Sequence, residues 1–181
     1  MLELVLGGAR SGKSAYAEQC AQAFIKQVST AKVLYIATAT AEDGEMADRI
    51  EHHRATRPHD WQTIEEPIKL ASILKQHNAR SEYIIVDCLT LWLTNLLMRD
   101  KELIHQEVDS LLASLSELTS SVIFVSNEVG MGIVPMGVET RRFVDEAGRL
   151  HQALAARCQR VTQMIAGIPN RIKDQPGGLE F

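Results

Sequence analysis

The chain has 181 residues, a length that at about 100–200 residues per domain fits one domain around a single core. Apolar residues supply 45% and charged residues 23%, which excludes disordered, collagen-like and low-complexity classes. Lys and Arg total 19 against 23 for Asp and Glu, a net charge of -4 with no long basic run, so the electrostatic footprint of a nucleic-acid or anionic-membrane binder is missing.

Residues 2–6 are an apolar run carrying Glu3, followed by a glycine-rich turn and then by residues 13–27, where Tyr16, Cys20 and Phe24 recur every four positions. That spacing is one face of a helix, so the order reads strand, loop, helix. The opening run is too short for the apolar region of a signal peptide. Residues 33–36 predict a second strand with Ala37, Thr38, Ala39 and Thr40 as its small-residue exit. A polar helix is predicted from about residue 44, with Met46 and Ile50 on one face and Pro58 ending it.

Residues 83–86 form a continuous apolar run ending in Asp87, and residues 122–125 repeat the pattern and end in Ser126, Asn127 and Glu128. Such runs suit strands buried on both faces of a parallel sheet. The wider apolar stretch 84–98 is interrupted by Asp87 and Asn95 and falls short of the roughly 20 residues that cross a bilayer, so no membrane insertion is expected. Residues 103–118 place Val108, Leu111, Leu112, Leu115 and Leu118 on one helical stripe, and residues 140–157 do the same with Phe143, Ala147, Leu150 and Leu154. Residues 161–166 predict a last, weaker strand, and the tail carrying Pro169, Pro176, Gly177 and Gly178 is expected to fray from about residue 169.

Strands alternating with helices predict an α/β fold, a mostly parallel sheet covered on both faces with right-handed crossovers. Ligands in such sheets bind at the carboxyl ends of the strands, so Thr38, Asp87, Asn127 and Glu128 are expected on the same edge as the glycine loop. Cys20, Cys88 and Cys158 are odd in number and form no close pair, which fits a reducing cytoplasm and neither a disulfide framework nor a zinc knuckle.

Gly7, Gly8, Ala9, Arg10, Ser11, Gly12, Lys13 and Ser14 match G-x-x-x-x-G-K-[ST] without substitution, and the match lies between a predicted strand and a predicted helix. Glycines let backbone N–H groups turn inward around phosphate oxygens, at the positive end of the helix dipole. Lys13 would neutralise charge on the β- and γ-phosphates, and the Ser14 hydroxyl would ligate Mg²⁺. Asp87, at the exit of an apolar strand, is placed either to hold the hydration shell of that Mg²⁺ or simply to cap the following helix. The phosphate loop leaves the reaction open, since kinases, GTPase switches and mechanical ATPases all use it.

Two imidazoles and two guanidinium groups are packed into Glu51, His52, His53, Arg54, Ala55, Thr56 and Arg57. Adjacent histidines point about 100° apart on a helix and cannot share one metal. One neutral ring nitrogen could attack phosphorus while the arginines hold anionic oxygens. A solvated helix terminus complementing the helix dipole explains the same residues.

The sequence resembles the bifunctional adenosylcobinamide kinase/adenosylcobinamide-phosphate guanylyltransferases of cobalamin biosynthesis. The likeness is carried by the phosphate loop, by Leu34-Tyr35-Ile36-Ala37-Thr38, by the block from Met46 through His52, His53 and Arg54 to Pro58 and Trp61, and by Asn127-Glu128-Val129-Gly130-Met131-Gly132-Ile133-Val134-Pro135. Weaker matches run through Asp87-Cys88-Leu89-Thr90, Thr94-Asn95 and Arg142 to Arg149.

The resemblance implies a RecA-like P-loop fold assembled as a homotrimer and working with Mg²⁺, GTP and ATP. It implies phosphorylation of adenosylcobinamide by a nucleoside triphosphate, then transfer of GMP from GTP to the phosphate through a GMP–histidine intermediate. The nucleophile maps to His52. Guanine-nucleotide contacts map to the phosphate loop, to Ala37, Thr38 and Ala39, to His53, Arg54, Ala55 and Thr56, and to two acids, Asp87 and Glu65, with Glu66 the neighbouring alternative. Two other readings share the phosphate loop: a small-molecule kinase without nucleotidyl transfer, and an NTPase switch that changes partners.

Overall fold

Leu2, Leu4, Leu34, Ile36, Ile84, Val86, Val122 and Phe124 turn to one side of a sheet, and Val5, Val33, Tyr35, Tyr83, Ile85, Ile123 and Val125 to the other. Successive strand residues face opposite ways, so strands apolar at both sets must be covered on both faces. The computed structural model describes residues 1–39 and 58–174, and in it that requirement is met.

The described elements are β1 (Leu2–Gly7), α1 (Lys13–Gln27), β2 (Lys32–Ala37), β3 (Gln62–Glu65), α2 (Leu70–Gln76), β4 (Glu82–Asp87), α3 (Leu89–Arg99), α4 (Lys101–Ser114), a 3₁₀ turn (Leu115–Glu117), β5 (Ser121–Asn127), α5 (Val138–Arg157), β6 (Arg160–Ile165) and β7 (Ile168–Asp174). The strands lie in the order β3-β2-β4-β5-β1-β6-β7. All neighbours are parallel except β6 and β7, which are antiparallel. The fold is therefore the α/β, mostly parallel arrangement that the alternation predicts.

One face carries α2 to α5, through Leu70, Leu74, Trp92, Leu93, Leu111, Leu150 and Leu154. Of the described helices only α1 covers the other face, where the small side chains of Ala17 and Ala21 are fully buried and Tyr16, Cys20 and Phe24 pack half-buried around them. The stripe of three larger residues thus flanks the contact line, because alanine lets a helix approach a sheet closely. The indole N–H of Trp92 donates 2.8 Å to the carbonyl of Ile68, which satisfies a polar group that burial would otherwise orphan.

The prediction of a frayed tail is corrected over residues 168–174. They pair with β6 as an edge strand, where Pro169 is tolerated because an edge leaves some N–H positions unpaired. A buried carboxylate also ties this margin together. Glu3 on β1 is fully buried and accepts hydrogen bonds from Thr162 Oγ1 at 2.7 Å and Tyr16 Oη at 2.9 Å, with Arg160 Nη1 at 3.5 Å. Removing one hydroxyl partner from such a group typically costs about 1–3 kcal/mol, since a buried acceptor is left unsatisfied. The predicted helix after residue 44, with Met46 and Ile50, lies outside the described residues.

Candidate functional site at the carboxyl edge of the sheet

Parallel strands deliver their carboxyl ends to one edge, and the glycine loop leaves β1 there. Gly12 takes φ 94°, the left-handed region, as it enters α1, a conformation glycine adopts without steric penalty. Lys13 then starts the helix and reaches back across the loop, its Nζ donating 2.6 Å to the carbonyl of Gly8. The residue is 7% exposed. Burial pushes the ammonium's pKa down, and the nearby Asp87 and Cys88 act in the opposite sense.

The two residues that sequence logic assigned to a metal are brought together. Ser14 Oγ donates 2.7 Å to Asp87 Oδ2, and the same oxygen accepts from Tyr35 Oη at 2.6 Å. Asp87 does not cap α3. The N-cap position belongs to Cys88, which makes no side-chain capping bond. The simpler reading of Asp87 as a helix cap is thereby corrected.

Thr38 follows β2 into the same place. Its N–H donates to Asp87 O at 3.1 Å, its hydroxyl donates to Cys88 O at 2.7 Å, and that hydroxyl accepts from Cys88 N at 2.9 Å. Asn95 Nδ2 on α3 adds a bond to the Thr38 carbonyl at 2.7 Å. The exits of β2 and β4 are locked together by these bonds. Burial pushes the Cys88 thiol up to about 11, so it is a neutral packing group near pH 7.

Asn127 and Glu128 complete the predicted edge. Asn127 Nδ2 donates 3.1 Å to Thr90 Oγ1, and the Glu128 N–H donates 3.0 Å to the carbonyl of Gly7. Beyond Glu128 the loop exposes Met131, Ile133, Val134 and Met136. Glu65 ends β3 in register with Ala37, while the neighbouring Glu66 uses Oε1 to accept the N–H groups of Ile68 and Lys69 at 2.8 and 2.7 Å. His52, His53, Arg54, Ala55 and Thr56 lie outside the described residues.

Sequence reasoning singled out neither Tyr35 nor the turn between β6 and β7, both of which touch the site. Tyr35 sits in an apolar strand, carries a hydroxyl near the strand's exit and belongs to the Leu34-Tyr35-Ile36-Ala37-Thr38 block, and these are the signals the sequence offers. The turn bonds the loop through a backbone N–H, and composition carries no trace of that.

Beside the site, His151 on α5 is buried and its Nε2 lies 2.7 Å from Ser126 Oγ. Burial pushes its pKa down, against a smaller opposing effect of Glu128. Below the ordinary imidazole value of 6.5 the unfolded chain therefore binds more protons than the folded one. The associated stability is complete above pH 6.5 and is lost as pH falls toward the folded-state value. In urea titrations at stepped pH, His151→Gln should show a shallower acid loss of stability than wild type, by up to about 1.4 kcal/mol per pH unit in that window. Parallel profiles would rule out His151 as a source of acid sensitivity.

Comparison with known proteins identifies the family. The CobU family, described as cobinamide kinase / cobinamide phosphate guanyltransferase, matches residues 3–172. The bifunctional adenosylcobalamin biosynthesis protein CobP of Pseudomonas aeruginosa is 52% identical over 97% of this chain and 99% of its own length. The corresponding protein CobU of Escherichia coli K12 is 42% identical over 96% of this chain and all of its own. Among solved structures, the flagellar accessory protein FlaH of Methanocaldococcus jannaschii covers 99% of this chain, and 81% of its own length is covered, with a TM-score of 0.55 at 14% identity. A Pyrococcus horikoshii OT3 protein gives 0.52 at 9% identity, covering 99% of this chain with 91% of its own length covered. These two distant likenesses speak to the fold alone. With the phosphate loop on the predicted edge and the family pattern running over nearly the whole sequence, the chain belongs to the cobinamide kinase / cobinamide phosphate guanyltransferase family.

Proposed function

We propose that this protein phosphorylates adenosylcobinamide and then guanylylates the product, with His52 carrying GMP between the two substrates. The observation that supports the chemistry is the junction of Lys13, Ser14 and Asp87 at the end of β1 and β4, where triphosphate charge can be neutralised.

In the kinase step the aminopropanol hydroxyl attacks the γ-phosphorus, the bond to the bridging β,γ-oxygen breaks, a nucleoside diphosphate leaves and the hydroxyl proton is released. In the second step an imidazole nitrogen of His52 attacks the α-phosphorus of GTP and pyrophosphate leaves. An oxygen of adenosylcobinamide phosphate then attacks the same phosphorus, giving adenosylcobinamide-GDP and free imidazole. Direct attack of one phosphate anion on another is opposed by repulsion, so a neutral nucleophile divides a difficult transfer into two easier ones.

Ser14 Oγ and the Asp87 carboxylate are hard oxygen donors, a set that fits Mg²⁺, which keeps most of its waters and takes few protein ligands. When bound there, Mg²⁺ would supply charge neutralisation on the transferring phosphates. The remaining contacts to GTP or ATP are assigned to Gly7 through Ser14, to Ala37, Thr38 and Ala39, to His53, Arg54, Ala55 and Thr56, and to Glu65. Glu65 is preferred over Glu66 because it stands beside Ala37 while the Glu66 carboxylate closes the turn into α2. A cytoplasmic homotrimer is part of the proposal. None of the described helices is long and apolar enough to cross a membrane, and the exposed Ile133 and Met136 offer apolar surface that assembly would cover.

Incubation with GTP and adenosylcobinamide tests this reading. Adenosylcobinamide-GDP with pyrophosphate is the expected result. Phosphorylated corrinoid alone would indicate a kinase without nucleotidyl transfer, and GDP with untouched corrinoid would indicate an NTPase switch. Asp87→Asn should raise the Mg²⁺ concentration for half-maximal turnover about tenfold and leave metal-free nucleotide binding nearly unchanged. An unaltered magnesium titration would leave Asp87 as an anchor for Ser14 and Tyr35 only.

A further inference from the structure

The turn between β6 and β7 meets the phosphate loop backbone to backbone. Ile165 and Ile168 pair across it, leaving Ala166 and Gly167 as a two-residue connection with φ 51° and 82°. Two central residues at positive φ are the signature of the mirror-image type I′ hairpin turn. From this turn the Gly167 N–H donates 3.0 Å to the carbonyl of Ser11. A Cβ built on Gly12 would stand 3.2 Å from Gly167 Cα, so the two chains approach glycine to glycine.

We propose that Gly167 is a positioning residue of the phosphate loop, its N–H holding the Ser11 carbonyl and so fixing the direction in which the Ser11–Gly12 peptide offers its own N–H to a phosphate. In a planar trans peptide the C=O and N–H groups point in opposite directions. With the Ser11 carbonyl turned to the hairpin, the Gly12 N–H is turned away from it and joins the unpaired donors at the start of α1. Nothing in Gly12 itself selects this orientation, because glycine enters both halves of conformational space. Rotated the other way, the same peptide would aim a carbonyl oxygen at the anion. The hairpin supplies the selection from outside the loop. This rests on phosphate binding by the loop and not on the identity of the acceptor.

The test uses two variants and the wild type. A Cβ at position 167 would meet no atom within 4 Å, so substitutions there act through backbone conformation. Gly167→Val cannot hold a φ near 82° without strain, whereas Gly167→Asn can, since asparagine enters the left-handed region most readily among L-residues. Binding of inorganic pyrophosphate, followed by titration calorimetry, should weaken about tenfold in Gly167→Val and stay within about twofold of wild type in Gly167→Asn. Hydrogen exchange of the wild-type protein without ligand should show the Gly167 amide protected although the turn is exposed, a readout that stands even if the valine variant fails to fold. Unchanged affinity in Gly167→Val, equal loss in both variants, or a freely exchanging Gly167 amide would each overturn the proposal. Wild-type protein that binds no pyrophosphate would overturn the phosphate-binding reading and this proposal together, whereas a loss confined to Gly167→Val supports both.

Discussion

Lys13→Ala should yield a folded protein in which both transfer steps fall by about a thousandfold, the scale seen when a charged or oriented donor to a developing phosphate or oxyanion charge is removed. The reason lies in where the ammonium is spent. Among the described residues its Nζ donates to the Gly8 carbonyl at 2.6 Å, and burial is the larger influence on its charge, disfavouring the charged form. A charge disfavoured by folding does not itself stabilise the empty protein. Deleting it should leave the thermal midpoint within a few degrees of wild type, a range that corresponds to roughly 1 kcal/mol for a chain of this size. Circular dichroism melts paired with corrinoid phosphorylation and pyrophosphate release check both halves. A folded variant with undiminished kinase turnover would show that Lys13 does not face the transferring phosphates.

What the sequence revealed of this site follows from the range of the interactions involved. The phosphate loop is local, eight consecutive residues whose chemistry is fixed by their own spacing, and α1 is found where its four-residue periodicity places it. The meeting of Ser14 and Asp87, 73 positions apart, was legible because parallel strands share one carboxyl edge. Periodicity fails where burial is not one-sided. In α3, Leu89, Thr90, Trp92, Leu93, Asn95 and Leu96 are all buried, so no polar face marks the helix and the stretch reads only as apolar. The opposite failure hides β3, where Gln62, Thr63 and Glu65 are exposed on an edge strand and only Ile64 touches the core.

Tertiary register is the third limit. Tyr35 reaches Asp87 because β2 pairs with β4 so that Ala37 lies beside Asp87, a pairing no local pattern specifies. The strand that follows the turn bonding Ser11 coincides with the stretch expected to fray from about residue 169. Its Pro169 and sparse apolar pattern are those of an edge strand, and only the antiparallel partner β6 makes it one. His52, the proposed nucleophile, falls in the block 40–57, outside the described residues. Its assignment therefore rests on the family to which the chain belongs and on the chemistry of the residues around it.

That assignment carries the most discriminating experiment. If His52 attacks the α-phosphorus, GTP labelled at the α-phosphate should leave label on the protein and GTP labelled at the γ-phosphate should not. The bond formed is a phosphoramidate, labile in acid and stable in alkali, which separates it from phosphate esters of serine or threonine. His52→Asn should lose the label and with it guanylyl transfer, by about a thousandfold or more, since a covalent route has no substitute once its nucleophile is gone. The same variant should retain corrinoid phosphorylation, because in-line transfer of a γ-phosphoryl group to a hydroxyl relies on positioning and charge neutralisation by Lys13, Ser14 and bound metal. His53→Asn should keep the label, with a lower rate of transfer. Label that survives in His52→Asn and vanishes in His53→Asn would move the nucleophile by one residue, and label absent from wild type and both variants would remove the covalent route altogether.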